Sequence, residues 1–184
     1  VDTWELGHAH QVGRMVQRLR KPRSAQWLAD RTAELGLKMT RQAIADLENG
    51  RRRYITTAEL FVIAFALGTS PAMLLFGHAL VDGEVEVLPN LKTSAIHAAQ
   101  WFSGEQPLLL IDVVGGYSEN NRALADGREL EDYRRPLVTT ARSDADPEAW
   151  EAWKRMVVER VRAREAVEDR LRASGLIVSD DDDA

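Results

Sequence analysis

Apolar residues recur at helical spacing near the start of the chain, at Trp4, Leu6, Val12, Met15, Val16 and Leu19, which predicts an opening helix. Pro22 ends it, because the residue before a proline is pushed out of the helical region. Ser24 reads as the N-cap of a second helix, with Trp27, Leu28 and Leu35 on its buried face and Gly36 as its stop. Thr40 caps a third, with Ile44 and Leu47 inward and Gly50 beyond its end. Thr57 opens a fourth, through Leu60, Ile63, Ala64 and Leu67 to Gly68. Ser70-Pro71 is the cap-then-proline start of a fifth, carrying Met73, Leu74 and Phe76.

The pattern loosens after that point. Glu84-Val85-Glu86-Val87 alternates polar and apolar, as a short strand or an extended linker does, and Pro89 ends it. Thr93 to Phe102 reads as a helix stopping at Gly104. Leu108 to Val114 is a short apolar run, strand or buried helix, broken by Gly115-Gly116. Ser118 to Arg135 predicts an interrupted helix with weak points at Asn120-Asn121 and Gly127. Asp146-Pro147 caps a long final helix to about Ala173, stopped by Gly175. The fold class is therefore mainly all-α, with room for one short strand pair. The expected division is 1–78 as a five-helix domain, 79–92 as a linker, 93–175 as a helical C-terminal region and 176–184 as a disordered acidic tail.

Composition narrows the function classes. The chain has 184 residues, no cysteine and a net charge of -5. Without cysteine there is neither a disulfide scaffold nor a thiolate metal site. The longest strongly apolar run, Leu60 to Leu67, is far short of the roughly 20 residues that span a bilayer, and no signal pattern opens the chain. A cytoplasmic protein without a membrane partner is expected. The charge is polarised: residues 14–53 hold 11 basic against 4 acidic side chains, while 81–184 hold 13 against 22. A basic segment within an acidic protein suggests an anionic partner for that segment, though a solvated charged face has the same composition.

The residues of the third helix give that partner a chemistry. With Ile44 and Leu47 inward, Arg41, Gln42, Ala45, Asp46 and Asn49 share the outward face. Arginine forks onto guanine O6 and N7, glutamine onto adenine N6 and N7, and a major groove admits a helix. Arg41 and Gln42 stand in the first turn, where a recognition helix meets bases. Asp46, one turn on, suits cytosine N4. Arg51, Arg52 and Arg53 follow and suit phosphates.

The stretch Met39-Thr40-Arg41-Gln42-Ala43-Ile44-Ala45-Asp46-Leu47-Glu48-Asn49-Gly50 resembles the recognition helix of the lambda-repressor and Cro type, the XRE family of helix-turn-helix regulators. The arginine cluster, the Leu-rich helix ending Ala66-Leu67-Gly68-Thr69-Ser70-Pro71, and Leu28-Ala29 upstream are similar too, so the likeness covers roughly 14–77. The resemblance implies base contacts from Arg41, Gln42, Asp46 and Ala45. It implies backbone contacts from Thr40, Asn49, Arg51, Arg52 and Arg53. It also implies a structural salt bridge between Arg18 and Glu48. Two features depart from the family pattern. Ala25 stands where a phosphate-touching glutamine is usual, with Gln26 one residue off. The span from Leu28 to Ile44 is about five residues longer, as in XRE-type regulators of actinobacteria, so the second helix or its turn is extended.

Other constellations carry less. His8, His10, His78 and His97 have no metal-ligand spacing, and no nucleophile or phosphate-loop motif is present, so neither enzyme activity nor a metal or cofactor is expected. Trp101, Phe102 and Tyr117 line either a ligand pocket or a core. Trp150, Trp153, Val157, Val161 and Leu171 form a stripe on the final helix, a dimer seam or an internal contact, interrupted by Arg160 and Arg164. The Asp180–Asp183 run is a solubilising end or a competitor for the basic segment. The expected function is a sequence-specific DNA-binding transcriptional regulator, a repressor by default. It would act as a homodimer on double-stranded DNA, with an unknown small-molecule or protein effector. A phage-type immunity repressor or an antitoxin shares this signature. So does a protein-interaction module whose helix-turn-helix does not read DNA.

Overall fold

The computed structural model describes residues 3–80, 83–109, 115–135 and 147–175. The chain forms two compact units, 1–108 and 109–184. The first opens with five helices: α1 (Trp4–Arg20), α2 (Ala25–Glu34), α3 (Arg41–Glu48), α4 (Thr57–Leu67) and α5 (Pro71–Phe76). Each begins where a hydroxyl satisfies a free amide of the first turn. Thr3, Ser24, Thr40, Thr56 and Ser70 all accept from the amide three residues on. At α4 the device is reciprocal, since Glu59 also accepts from the Thr56 amide. A short 3-10 turn, Gly77–Ala79, follows α5.

Two antiparallel strands come next, β1 (Glu84–Leu88) and β2 (Leu91–Ser94), with Asn90 at positive φ between them. Ser94 then caps α6 (Ala95–Phe102). The predicted strand, turn and helix are present, but 79–92 is not a linker. Val85 and Val87 point inward and join Ala95 and Ala98 in the same core as Val12, Val16, Leu28, Ile44, Leu47, Ile63 and Leu74. The Trp4 indole N–H donates to the Glu86 carbonyl at 3.0 Å, tying β1 to the start of α1. Alternation placed both valines on one face, and burying that face extends the first unit to Leu108.

The second unit holds α7 (Tyr117–Asn120), α8 (Arg122–Arg134) and α9 (Pro147–Ala173). The predicted interruption falls at Asn121, while Gly127 lies within continuous helix. Helices α8 and α9 run antiparallel, with Arg170 on Asp126 and Glu129, and Arg160 on the carbonyls of Asp132 and Arg135. Among the described residues, Leu130, Val167 and Leu171 form its core, with Tyr133 packed against them. Most of the Leu108–Val114 run, the Asp146 cap and the acidic tail lie outside the described residues. Among the described residues, no single helix is long and apolar enough to cross a membrane.

Candidate nucleic-acid interface

The connection from α2 to α3 absorbs the extra residues noted in the sequence. Helix α2 ends at Glu34, and Gly36, at φ 90°, lets the Leu37 amide return to the Thr32 carbonyl at 3.0 Å. Met39 is buried in that connection, and Lys38 beside it is exposed. Thr40 then starts α3, its hydroxyl accepting from the Ala43 amide at 3.0 Å.

Helix α3 is anchored from its inner side. Ile44 and Leu47 are fully buried. Helix α1 lies so close that a Cβ on Gly13 would stand 2.0 Å from the Leu47 carbonyl oxygen. Glu48 is buried as well, and its carboxylate takes a two-pronged contact from Arg20, 2.6 Å from Nε and 2.7 Å from the second terminal nitrogen. This is the ion pair expected of Arg18, and the assignment is corrected. Arg20 continues the Val12–Val16 stripe at four-residue steps and faces α3, whereas Arg18 points about 160° away and is exposed. Hydrogen bonding to Glu48 raises the Arg20 guanidinium pKa above its ordinary value, against the opposing effect of burial. Arg20 also donates to the Arg23 carbonyl, so one buried cation ties α1, α3 and the start of the α2 segment together.

The outer side of α3 is open. Arg41, Gln42 and Asn49 are exposed, and Ala45 and Asp46 are half-buried. Arg41 has no ion-pair partner among the described residues. Gln42 and Asp46 form a linked pair, with the amide Nε2 donating to the Asp46 carboxylate at 2.8 Å. One amide hydrogen and the amide oxygen of Gln42 remain for an outside partner. The Asp46 backbone carbonyl also accepts from the Arg51 and Arg52 amides, at 2.8 and 3.3 Å, folding the arginine cluster back over the end of the helix.

The three arginines of that cluster differ. Arg51 and Arg53 are exposed and, among the described residues, their side chains make only long ion pairs, 3.6 Å to Asp46 and 3.5 Å to Glu5. Arg52 was expected to grip phosphate; instead it forks onto Glu59 at 2.8 and 3.0 Å. Burial pushes the Glu59 carboxyl upward, but Arg52 and the Thr56 amide and hydroxyl outweigh it and hold the group below the usual carboxylate range. Arg52 thus fixes the loop from α3 to α4. Arg23 and Lys38, two cations that the pattern did not single out, border the same helices. The Arg23 guanidinium lies 3.9 Å from the Trp27 ring centroid. Gln26, near the start of α2, is exposed and donates to Asp30 at 2.7 Å.

The remaining sequence candidates are dispersed. Within the first unit, His97 is held between the Thr93 hydroxyl and the Pro107 carbonyl, and His10 packs beside Gly50. Trp101 and Phe102 lie in the first unit and Tyr117 in the second. Compared with known proteins, the chain matches no family model, no curated protein and no solved structure.

Proposed function

We propose that the chain is a cytoplasmic, sequence-specific DNA-binding transcriptional regulator of the helix-turn-helix kind, acting as a repressor. One observation carries this reading. A short helix is locked from behind by Gly13, Ile44, Leu47 and the Arg20–Glu48 pair, while its free side presents Arg41 and Gln42 beside exposed Arg51 and Arg53. A rigid helix with a forked donor in its first turn suits base edges, and flanking cations suit phosphates. Repression follows when the bound protein blocks polymerase.

The roles divide accordingly. Arg41 and Gln42 read bases, with Asp46 orienting Gln42 and Ala45 leaving room for a base edge. Thr40, Asn49, Arg51 and Arg53 hold the backbone, while Arg52 and Glu48 support the scaffold. A homodimer would place two α3 helices on half-sites roughly 34 Å apart.

The test is a footprint of the full chain on its own upstream DNA, at about 50 and about 200 mM salt. Protection of paired half-sites with a steep loss at the higher salt is expected. Absence of retention on any DNA at low salt overturns the reading and moves the search to protein partners.

A further inference from the structure

The first unit contains a recess of about 410 Å³ that the DNA-facing helix does not use. Its walls come from the start of α1, the 54–57 segment and first turn of α4, α5, β1 and the end of α6. Leu60, Leu75, Phe76 and Val87 give it a buried floor, while Tyr54, Phe61 and Phe102 stand exposed at its rim. Trp4 and Trp101 add two further rings, and Phe102 meets Phe76 edge-to-face at 6.1 Å. A volume of this size, lined by rings with few polar groups, matches small-molecule sites, which run about 300–1,000 Å³.

Charge narrows the class of occupant. Glu5 and His8 are the ionisable side chains in the lining besides Tyr54. Glu5 is already paired with Arg53 at 3.5 Å. Burial, and then neighbouring His78, hold the His8 imidazole below its ordinary pKa. The lining itself therefore supplies no cation to receive an anionic group.

We propose that this recess is a binding site for a small, uncharged, ring-containing apolar molecule. The occupant stacks on the rings of Trp4, Phe61, Trp101 and Phe102 and covers the floor at Leu60. Its binding does not depend on the DNA-binding reading. A further consequence does rest on that reading: Tyr54–Thr57 directly follows Arg51–Arg53, and Glu5 holds Arg53, so the occupant shares its walls with the supports of the phosphate-gripping arginines.

The test uses two fluorescent probes on the full chain. N-phenyl-1-naphthylamine is uncharged, and its sulfonated analogue 8-anilinonaphthalene-1-sulfonate has the same ring skeleton with a negative charge. The neutral probe should saturate at one per chain, quench tryptophan by energy transfer, and bind more tightly than the sulfonate. Trp4→Phe with Trp101→Phe should remove most of that transfer. Phe61→Asp and Phe102→Asp, both at exposed positions, should each weaken the neutral probe by about tenfold or more, since a charge is costly in an apolar recess. Thr57→Trp, which fills the recess while adding no charge, should weaken it as well, with far-ultraviolet circular dichroism confirming that each variant is folded.

Any of four results overturns the proposal: no saturable binding, equal or tighter binding of the sulfonate, indifference to all three rim variants, or loss of probe binding in step with dimer formation in sedimentation. The last would assign the recess to a second copy of the chain. None of the four changes a footprint, so failure here is separate from failure of the DNA-binding reading.

Discussion

At the scale of single residues, the Arg20–Glu48 pair decides how firmly α3 is held. Both side chains are nearly excluded from water, with 10% and 5% exposure. Removing one partner leaves the other charge buried and alone. Glu48→Ala should therefore cost about 3–5 kcal/mol in urea unfolding. Arg18→Ala, on the exposed side of the same helix, should stay within about 0.5 kcal/mol. Equal effects would return Arg18 to the pair. On the outer face the same comparison separates reading from gripping. Arg41→Ala should weaken specific binding by about 1–3 kcal/mol and relax one base position. Equal loss on random DNA would contradict base reading by Arg41. Arg51→Ala should weaken all sequences alike and lower the salt slope by about one. Arg52→Ala should leave that slope nearly unchanged but lower stability, because the Arg52 guanidinium is already committed to Glu59.

At the scale of elements, the approach of α1 to α3 depends on a missing side chain. Gly13→Ala puts a methyl group into the Leu47 carbonyl and forces the helices apart, at about 1–3 kcal/mol and with weaker DNA binding. Gly127→Ala has open space within helix α8 and should instead stabilise by about 0.5–1 kcal/mol. Urea midpoints of the two variants should move in opposite directions. The contact between α1 and the turn after α5 makes a further prediction. Burial, and then His78, lower the pKa of His8; burial, and then Arg14, lower that of His78. The His78 Nδ1 atom is buried without a hydrogen-bond partner among the described residues. As pH falls past about 6.5 the unfolded chain takes up protons first, so stability is complete above that value and declines below it. The urea midpoint should drop between about pH 7.5 and about pH 5.5, and less in His8→Asn/His78→Asn. An unchanged drop would remove these imidazoles from the account. What was legible in the sequence at this scale was local chemistry. Ser24, Thr40 and Ser70 each cap a helix through an amide only three residues away. The Arg20 partnership was written in the inward stripe, four residues beyond Val16, whereas the family resemblance placed it at Arg18. Arg52–Glu59 spans a loop, and the hairpin is seated by a bond between Trp4 and Glu86, 82 residues apart. Neighbouring residues carry no sign of either contact.

At the scale of the whole molecule, the two units differ in charge and in core. Residues 1–108 carry a net charge of +1 and residues 109–184 a net charge of -6, so the unit that holds α3 is the one without an excess of acidic residues. The first unit buries side chains from all six of its helices and from β1. Among the described residues, the second rests on Leu130, Val167 and Leu171, flanked by surface ion pairs such as Arg170 with Glu129 and Arg162 with Glu159. Exposed ion pairs contribute little, and a small apolar cluster resists opening weakly. Hydrogen exchange should therefore be graded along the chain. Amides of Val16, Ile44 and Ile63 should exchange at least about a hundredfold more slowly than those of Leu130 and Val167, an opening difference of ~2.7 kcal/mol. Residues 147–158 of α9 should exchange fastest within that helix, since Trp150, Met156 and Val158 are exposed there while the buried residues lie toward its other end. Specific DNA should slow α3 further and leave α8 and α9 at their own rates, because the proposed contacts all lie in the first unit. A single common rate along the chain would show instead that both units open together, and the second would then owe its stability to more than its own core.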